Sequence, residues 1–364
     1  MKIIHCADLH LDSKMTSNFD KEKAKERKGE LLHTFERMVA YAVQNSIQAI
    51  LIAGDMFDTK NISATTRNTV LAQIANHPGI TFFYLKGNHD NDNFLSGLEH
   101  VPDNLKMFGS GWTYYKLGTI NISGIELSKE NSGAAYTSLV LEADKFNIVM
   151  LHGQEAESAS KDKVEVIHLK ALRNRGIDYL ALGHVHAYKR EQLDGRGTYC
   201  YPGCLEGRGF DECGEHGFVV LDIDEEKKTF ADTFIPFAER NLYTIEADVS
   251  GALSSTEMAE KISGELKKYG YGRENLIKII LTGMLDVECE KNVDYLISKF
   301  KNEFYFVKIY DETSLRVNFE DYMLDESLKG EFVRLVMNAD HVPEEDKKII
   351  IRYGLQAIAG EEVV

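Results

Sequence analysis

Between residues 2 and 190, five apolar stretches each run into a short polar turn built from Asp, Asn, His and Gly. KIIHCA leads into Asp8-Leu9-His10. IQAILIA leads into Gly54-Asp55-Met56-Phe57-Asp58, and ITFFYLK into Gly87-Asn88-His89-Asp90. FNIVML leads into His152-Gly153, and IDYLAL into Gly183-His184-Val185-His186. Short apolar runs bounded by turn residues read as buried strands. Helical spacing fills the gaps between the first three: Leu31, Phe35, Met38, Val39 and Ala42 in one segment, residues 64–76 in the next. That alternation predicts βαβ units and a central sheet with helices outside. Open sheets of this kind bind ligands at the carboxyl ends of their strands, which is where all five polar turns fall.

Each turn by itself is ordinary, since strand-end Asp and Gly are common turn residues. Together they supply a complete dinuclear metal site. Alternation along an extended segment places Asp8 with His10, and His184 with His186, on one side. Gly54 permits a tight turn, and Asp55 stands where a carboxylate bridges two ions. Asn88 is a neutral oxygen donor. Asp90 is expected to hold the imidazole of His89 in one tautomer. One ion then takes Asp8, His10, Asp55 and His186, and the other Asp55, Asn88, His152 and His184. Mixed oxygen and imidazole donors suit manganese, iron or zinc better than calcium or magnesium. Two ions roughly 3.5–4 Å apart serve phosphoester hydrolysis. His89 is left to stabilise the transition state or protonate the departing oxygen.

Charge restrains the choice of substrate. The net charge is -16, and so acidic a chain does not grip nucleic acid with its whole surface. A DNA substrate requires a local basic patch, the metals, or a partner subunit. Five cysteines, an odd number, in a chain of 364 residues fit a reducing compartment. Cys200, Cys204 and Cys213 lack the paired spacing of a zinc ribbon. The start, MKIIHCADLHLD, lacks the apolar core of a signal peptide, and no apolar run has the length of a membrane span. The expected location is the cytoplasm, without membrane attachment. The expected domains are 1–238, a β-α-β-α-β cap over 239–318, and an acidic helical tail over 319–364.

The set DLH, GDMFD, GNHD, LHG and GHVH resembles the calcineurin-like metallophosphoesterases. ADLHLDS and YPGCLEGRGFDECGEHGF are similar to the SbcD-type DNA repair exonucleases, most of all their YhaO-like branch. The resemblance implies an α/β fold: a two-sheet sandwich flanked by helices, with a small C-terminal α/β cap and a helical tail. It also implies a manganese-dependent nuclease acting on DNA beside an SMC-like ATPase. The family's ligand pattern falls on Asp8, His10, Asp55, Asn88, His152, His184 and His186, and its transition-state histidine on His89. Many relatives carry a second phosphate-handling histidine three positions after the bridging aspartate. Asp58 stands there in this chain, as an aspartate often does in bacterial members of this type, and this bears on the polarity of cleavage, not on metal binding.

Other residues carry two readings. Arg208 is either a phosphate contact or a surface arginine in a turn, and Asp58 either supports the site or closes a turn. His5 reads as core. Trp112, Tyr114 and Tyr115 either stack on bases or line a sheet face. Phe332, Leu335, Val336 and Met337 form an apolar stripe on the tail, for docking the ATPase or for a solvated appendage. A homodimer is left open. Two further functions compete with the nuclease: a phosphatase or phosphodiesterase on small esters, which the acidic charge favours, and a non-catalytic partner of the ATPase.

Overall fold

The computed structural model describes residues 1–15, 19–58, 61–90, 92–156, 166–286, 289–316 and 322–359. The chain divides into two compact units, Met1–Leu242 and Tyr243–Val364. The first unit opens with β1 (Lys2–Cys6), α1 (Lys21–Gln44), β2 (Ala49–Ala53), α2 (Ala64–Ala75), β3 (Thr81–Leu85) and β4 (Leu105–Met107). It continues with β5 (Thr113–Leu117), β6 (Ile120–Gly124), α3 (Ser132–Ser138), β7 (Phe146–His152), β8 (Gln154–Ala156), β9 (Val166–His168) and α4 (Leu169–Leu172). Then come β10 (Tyr179–Gly183), β11 (Lys189–Gln192), β12 (Thr198–Tyr201), β13 (Gly217–Asp224) and β14 (Thr229–Pro236).

These strands make two six-stranded sheets, ordered β14-β13-β1-β2-β3-β4 and β11-β12-β10-β7-β6-β5. The β1, β2 and β3 strands run parallel, as do β7 and β10. Ile3, Leu51 and Phe83 of the first sheet share one buried core with Ile148, Met150 and Ala181 of the second. The outer face of the second sheet, Val149, Leu151, Leu180 and Leu182, packs with Tyr136, Leu169 and Leu172. Every residue of β2, β7 and β10 is buried, which is why their sequences are continuous apolar runs. The fold is a mixed α/β sandwich of two sheets with helices.

Local departures from the sequence reading have plain causes. VIHLKALRNRG is helical only over α4, because its first residues pair with β8 as β9. Strand β11, KREQ, carries no apolar signal because it is a largely exposed edge strand. His5 is fully buried, with Nδ1 2.9 Å from the Tyr179 hydroxyl.

The second unit contains β15 (Leu242–Asp248), α5 (Ser255–Leu266), β16 (Leu276–Thr282), β17 (Met284–Asp286), α6 (Val293–Phe300), β18 (Phe306–Asp311) and β19 (Ser314–Arg316). Its sheet runs β15-β16-β18, and Met258, Ile262, Leu296 and Phe300 of the two helices pack on Ile277 and Ile279. Helices α7 (Leu328–Met337) and α8 (Glu344–Ala359) follow. They share a core of Val333, Val336, Ile351 and Leu355, with Phe332 and Met337 packed against it. The apolar stripe expected on the tail is therefore split. Phe332, Val336 and Met337 pack with this core, while Leu335 alone of the four is strongly exposed, at 68%. The physical reason is that the tail's own helices already cover the richer face. Among the described residues, no helix is long and apolar enough to cross a membrane.

Candidate metal centre

The turns after β1 and β2 are laced together by backbone hydrogen bonds. Asp8 N–H donates to Gly54 O, His10 N–H to Asp55 O, and Leu11 N–H to Met56 O, at 2.9–3.0 Å. Asp58 N–H returns a bond to Leu11 O. This lacing bends the chain sharply. Asp8, His10, Asp55 and His184 have φ of 51°, 44°, 49° and 98°, in the left-handed region that side chains rarely adopt. Such strain costs about 1–3 kcal/mol per residue and gathers at functional sites. Asp8 and His10, and likewise His184 and His186, thus converge through left-handed turns. The extended alternation expected from sequence is not what aligns them, because β1 ends at Cys6 and β10 at Gly183. Two glycines make the approach possible. A Cβ on Gly54 would overlap the His152 ring, and one on Gly183 would overlap the Ala53 carbonyl.

The seven sequence-predicted donors come together at these strand ends. Asp8, His10 and His186 offer ligand atoms within 4.8 Å of one another, as do Asp8, Asp55 and His152. His152 Nε2 lies 3.0 Å from Asn88 Oδ1 and 3.4 Å from Asp55 Oδ2. The His184 ring stands edge-on to His152 at 5.3 Å, and its backbone N–H donates to the Asp8 carboxylate. Asp8 joins both clusters, a wider role than the sequence reading assigned it.

The proton positions show what the centre demands. His186 Nδ1 is 2.7 Å from Glu212 Oε1, His10 Nδ1 is 3.1 Å from Asp58 Oδ1, and His152 Nδ1 is 2.9 Å from the Ala53 carbonyl. These oxygens only accept, so the Nδ1 of His186 and of His152 is the donor, and each ring in its neutral form turns its Nε2 lone pair inward. His10 and His186 bring Nε2 to Nε2 across 3.2 Å, and His152 Nε2 faces two oxygens. Acceptors facing acceptors in a buried place call for a cation, and the mixed donors fit divalent ions. The titrations show how strongly the carboxylates here favour positive charge. Burial alone would lower the His152 pKa, but the carboxylates of Asp55 and Asp8 overcome it and raise it to about 9. Burial, partly offset by His152 and His186, lifts Asp8 to about 6. Burial would raise Asp55 too, yet His152 and His10 hold it well below the usual carboxylate range.

Around this centre the supporting contacts differ from the sequence reading. Asp90 does not hold His89. Its buried carboxylate accepts from the backbone N–H groups of Met56, Phe57 and Gly87, at 3.2, 2.9 and 2.9 Å. Three amides of two adjoining turns are satisfied there, and the group is consumed by them. The carboxylate near His89 is Asp58, 3.7 Å from Nδ1. Asp58 also faces His10 and receives Arg208 Nη1 at 3.1 Å, so it supports the site rather than merely closing a turn. The His89 side chain is 46% exposed, edge-on to His10 at 5.1 Å, and its backbone N–H donates to Asp55 Oδ1. Arg208 is no surface arginine. It is half-buried, with Nη2 2.8 Å from Glu212 and 3.3 Å from His186 Nδ1. Glu212 itself was missed from sequence. His186 and Arg208 hold its carboxyl far below the usual range despite burial, which acts to raise it. The available signal was a carboxylate four residues after Arg208 in the already suspect loop GRGFDE.

The calcineurin-like phosphoesterase family matches residues 1–188, over half of the 364-residue chain, and the chain belongs to that family. Among curated relatives it is similar to the uncharacterized metallophosphoesterase YhaO of Bacillus subtilis, 29% identical over 238 residues, covering 61% of this chain and 57% of that one. It is also similar to the DNA double-strand break repair protein Mre11 of Aeropyrum pernix, 24% identical over 271 residues, covering 68% and 64%. The chain thus spans less than two thirds of the length of either relative. A dimetal phosphatase of Danio rerio is a structural neighbour at 12% identity and a TM-score of 0.39, covering 61% of this chain and 92% of the other.

Proposed function

We propose that this phosphoesterase is a two-metal phosphodiesterase that cleaves DNA, with manganese as its native ion. One observation carries the chemistry: the Nε2 atoms of His10, His152 and the half-buried His186 converge with the carboxylates of Asp8 and Asp55 and the amide of Asn88, beside the solvent-facing His89. Asp8, His10, Asp55, Asn88, His152, His184 and His186 would hold the ions, which supply an activated water and neutralise phosphoryl charge. His89 donates a proton to the departing ester oxygen from the open side of the site. Asp58 Oδ1 stands 3.7 Å from its Nδ1, and Arg208 holds Asp58 in turn. The names of the Mre11 relatives support DNA as the substrate. The net charge of -16 keeps small phosphoesters as the second reading.

The same reading extends to partners and place. An SMC-like ATPase is the proposed partner of the tail, supported by the exposed Leu324, Leu328 and Leu335 at 92%, 67% and 68%. The cytoplasm is the proposed compartment.

The test is a panel of linear duplex DNA, single-stranded DNA and a para-nitrophenyl phosphodiester, with manganese, beside His89→Ala. DNA degradation that the variant loses while it keeps its metals supports the proposal. Turnover of the small ester with intact DNA replaces it with the second reading. Inertness on every substrate, with or without the ATPase, leaves a non-catalytic partner.

A further inference from the structure

Helix α5 ends in a turn closed by Gly270 at φ 66°, whose N–H and that of Tyr269 both donate to Leu266 O. This reversal brings Tyr271 back against Tyr269. Their rings are 5.3 Å apart and tilted by only 5°. Tyr243, from β15, stacks on Tyr271 at 4.2 Å and 18°. Tyr243 and Tyr271 are half-buried against the core of the second unit, which fixes them in place. Tyr269 ends the stack and is 55% exposed. Three cations flank it in sequence: Lys268, paired with Glu265, and Lys267 and Arg273, both exposed. Among the described residues neither of the last two has an ion-pair partner.

The open tyrosine thus stands on two anchored rings, and its face is held in place before anything meets it. We propose that this stack binds a single strand of nucleic acid, with a base laid against Tyr269 and the flanking phosphates met by Lys267 and Arg273. The choice of occupant rests on two features. Every base has a π-face that an aromatic ring accepts without regard to sequence. Lys267 and Arg273, which flank Tyr269 in sequence and have no ion-pair partner among the described residues, add local positive charge to a chain of net charge -16 and favour a polyanion. The inference deepens the DNA reading above by locating a strand-holding surface in the second unit.

The test uses the full chain in chelator, so that nothing is cleaved. Anisotropy of a labelled oligothymidine is compared with that of an abasic strand of equal length, for the wild type and Tyr269→Ala. The stack predicts roughly five- to hundredfold weaker oligothymidine binding by Tyr269→Ala. It predicts equal abasic binding by both proteins and unchanged turnover of the para-nitrophenyl phosphodiester with metal. Arg273→Ala should lower the slope of log affinity against log salt by about 0.7. Equal oligothymidine binding by wild type and Tyr269→Ala overturns the inference. So does a wild type that does not bind single strands, even where it degrades duplex DNA, in which case the nuclease reading stands alone. Single-strand binding that depends on Tyr269, in a protein that cleaves no DNA, would sink the nuclease reading and leave the stack.

Discussion

His10 and His186 point their Nε2 atoms at each other across 3.2 Å, while a carboxylate faces the far nitrogen of each ring: Glu212, hydrogen-bonded to His186, and Asp58, 3.1 Å from His10 Nδ1. The two carboxylates are themselves joined through Arg208. The orientation of both rings therefore depends on residues that are not proposed ligands.

Glu212→Ala should weaken manganese binding by about 10–100-fold, the usual cost of removing a group that orients a metal-binding histidine. Titration calorimetry on the metal-free chain measures it. Glu212→Gln keeps an accepting oxygen toward His186 and should recover part of the loss. Unchanged affinity in Glu212→Ala would show that the His186 ring is set by something else.

Asp90→Ala should act on stability first. It strands three amide donors, two of them on the buried Met56 and Phe57, each buried one at about 1–3 kcal/mol, so urea unfolding should show a loss of about 2 kcal/mol or more. A variant that keeps its stability but loses only the His89-dependent activity would restore the expectation that Asp90 serves His89.

Gly183→Ala and Gly29→Ala should move in opposite directions. A Cβ at Gly183 meets the Ala53 backbone, whereas one at Gly29, within α1, meets nothing within 4 Å. Overpacking against rigid backbone costs about 1–3 kcal/mol or more. Alanine in an open helical position contributes up to about 1 kcal/mol. Melting temperatures of the two variants decide it, and a neutral Gly183→Ala would mean that the sheets can part there.

Acid should destabilise the fold through His5. Burial lowers its pKa from 6.5 to about 3. Between those values the unfolded chain binds a proton that the folded one refuses, so stability rises with pH in that window. The contribution is complete above pH 6.5 and is lost as pH falls toward 3, by up to about 1.4 kcal/mol per pH unit. His5→Phe should be less stable near neutrality, since Tyr179 loses its partner, but flatter across the window. Parallel curves for the two proteins would remove His5 as the cause.

Much of the sheet was legible because strands buried on both faces must be apolar throughout, as AILIA and YLALG are. KREQ was not, since an edge strand needs only backbone partners. The tail's apolar stripe was visible, but periodicity cannot say whether a helix meets its neighbour or a foreign protein. Here Val336 meets α8 and Leu335 does not.

For the centre, sequence by itself determined the donor types and the strand ends that carry them. Carboxylate, amide and imidazole are properties of residues, and an apolar run ending in Gly and Asp marks its own terminus. Only the tertiary structure decided which acceptor each imidazole meets. Asp90, adjacent to His89, went to three amides, while Glu212 from a distant loop reached His186. A hydrogen bond is settled by competition among all groups within reach. That set exists only once left-handed turns at Asp8, His10, Asp55 and His184 have drawn the strand ends together.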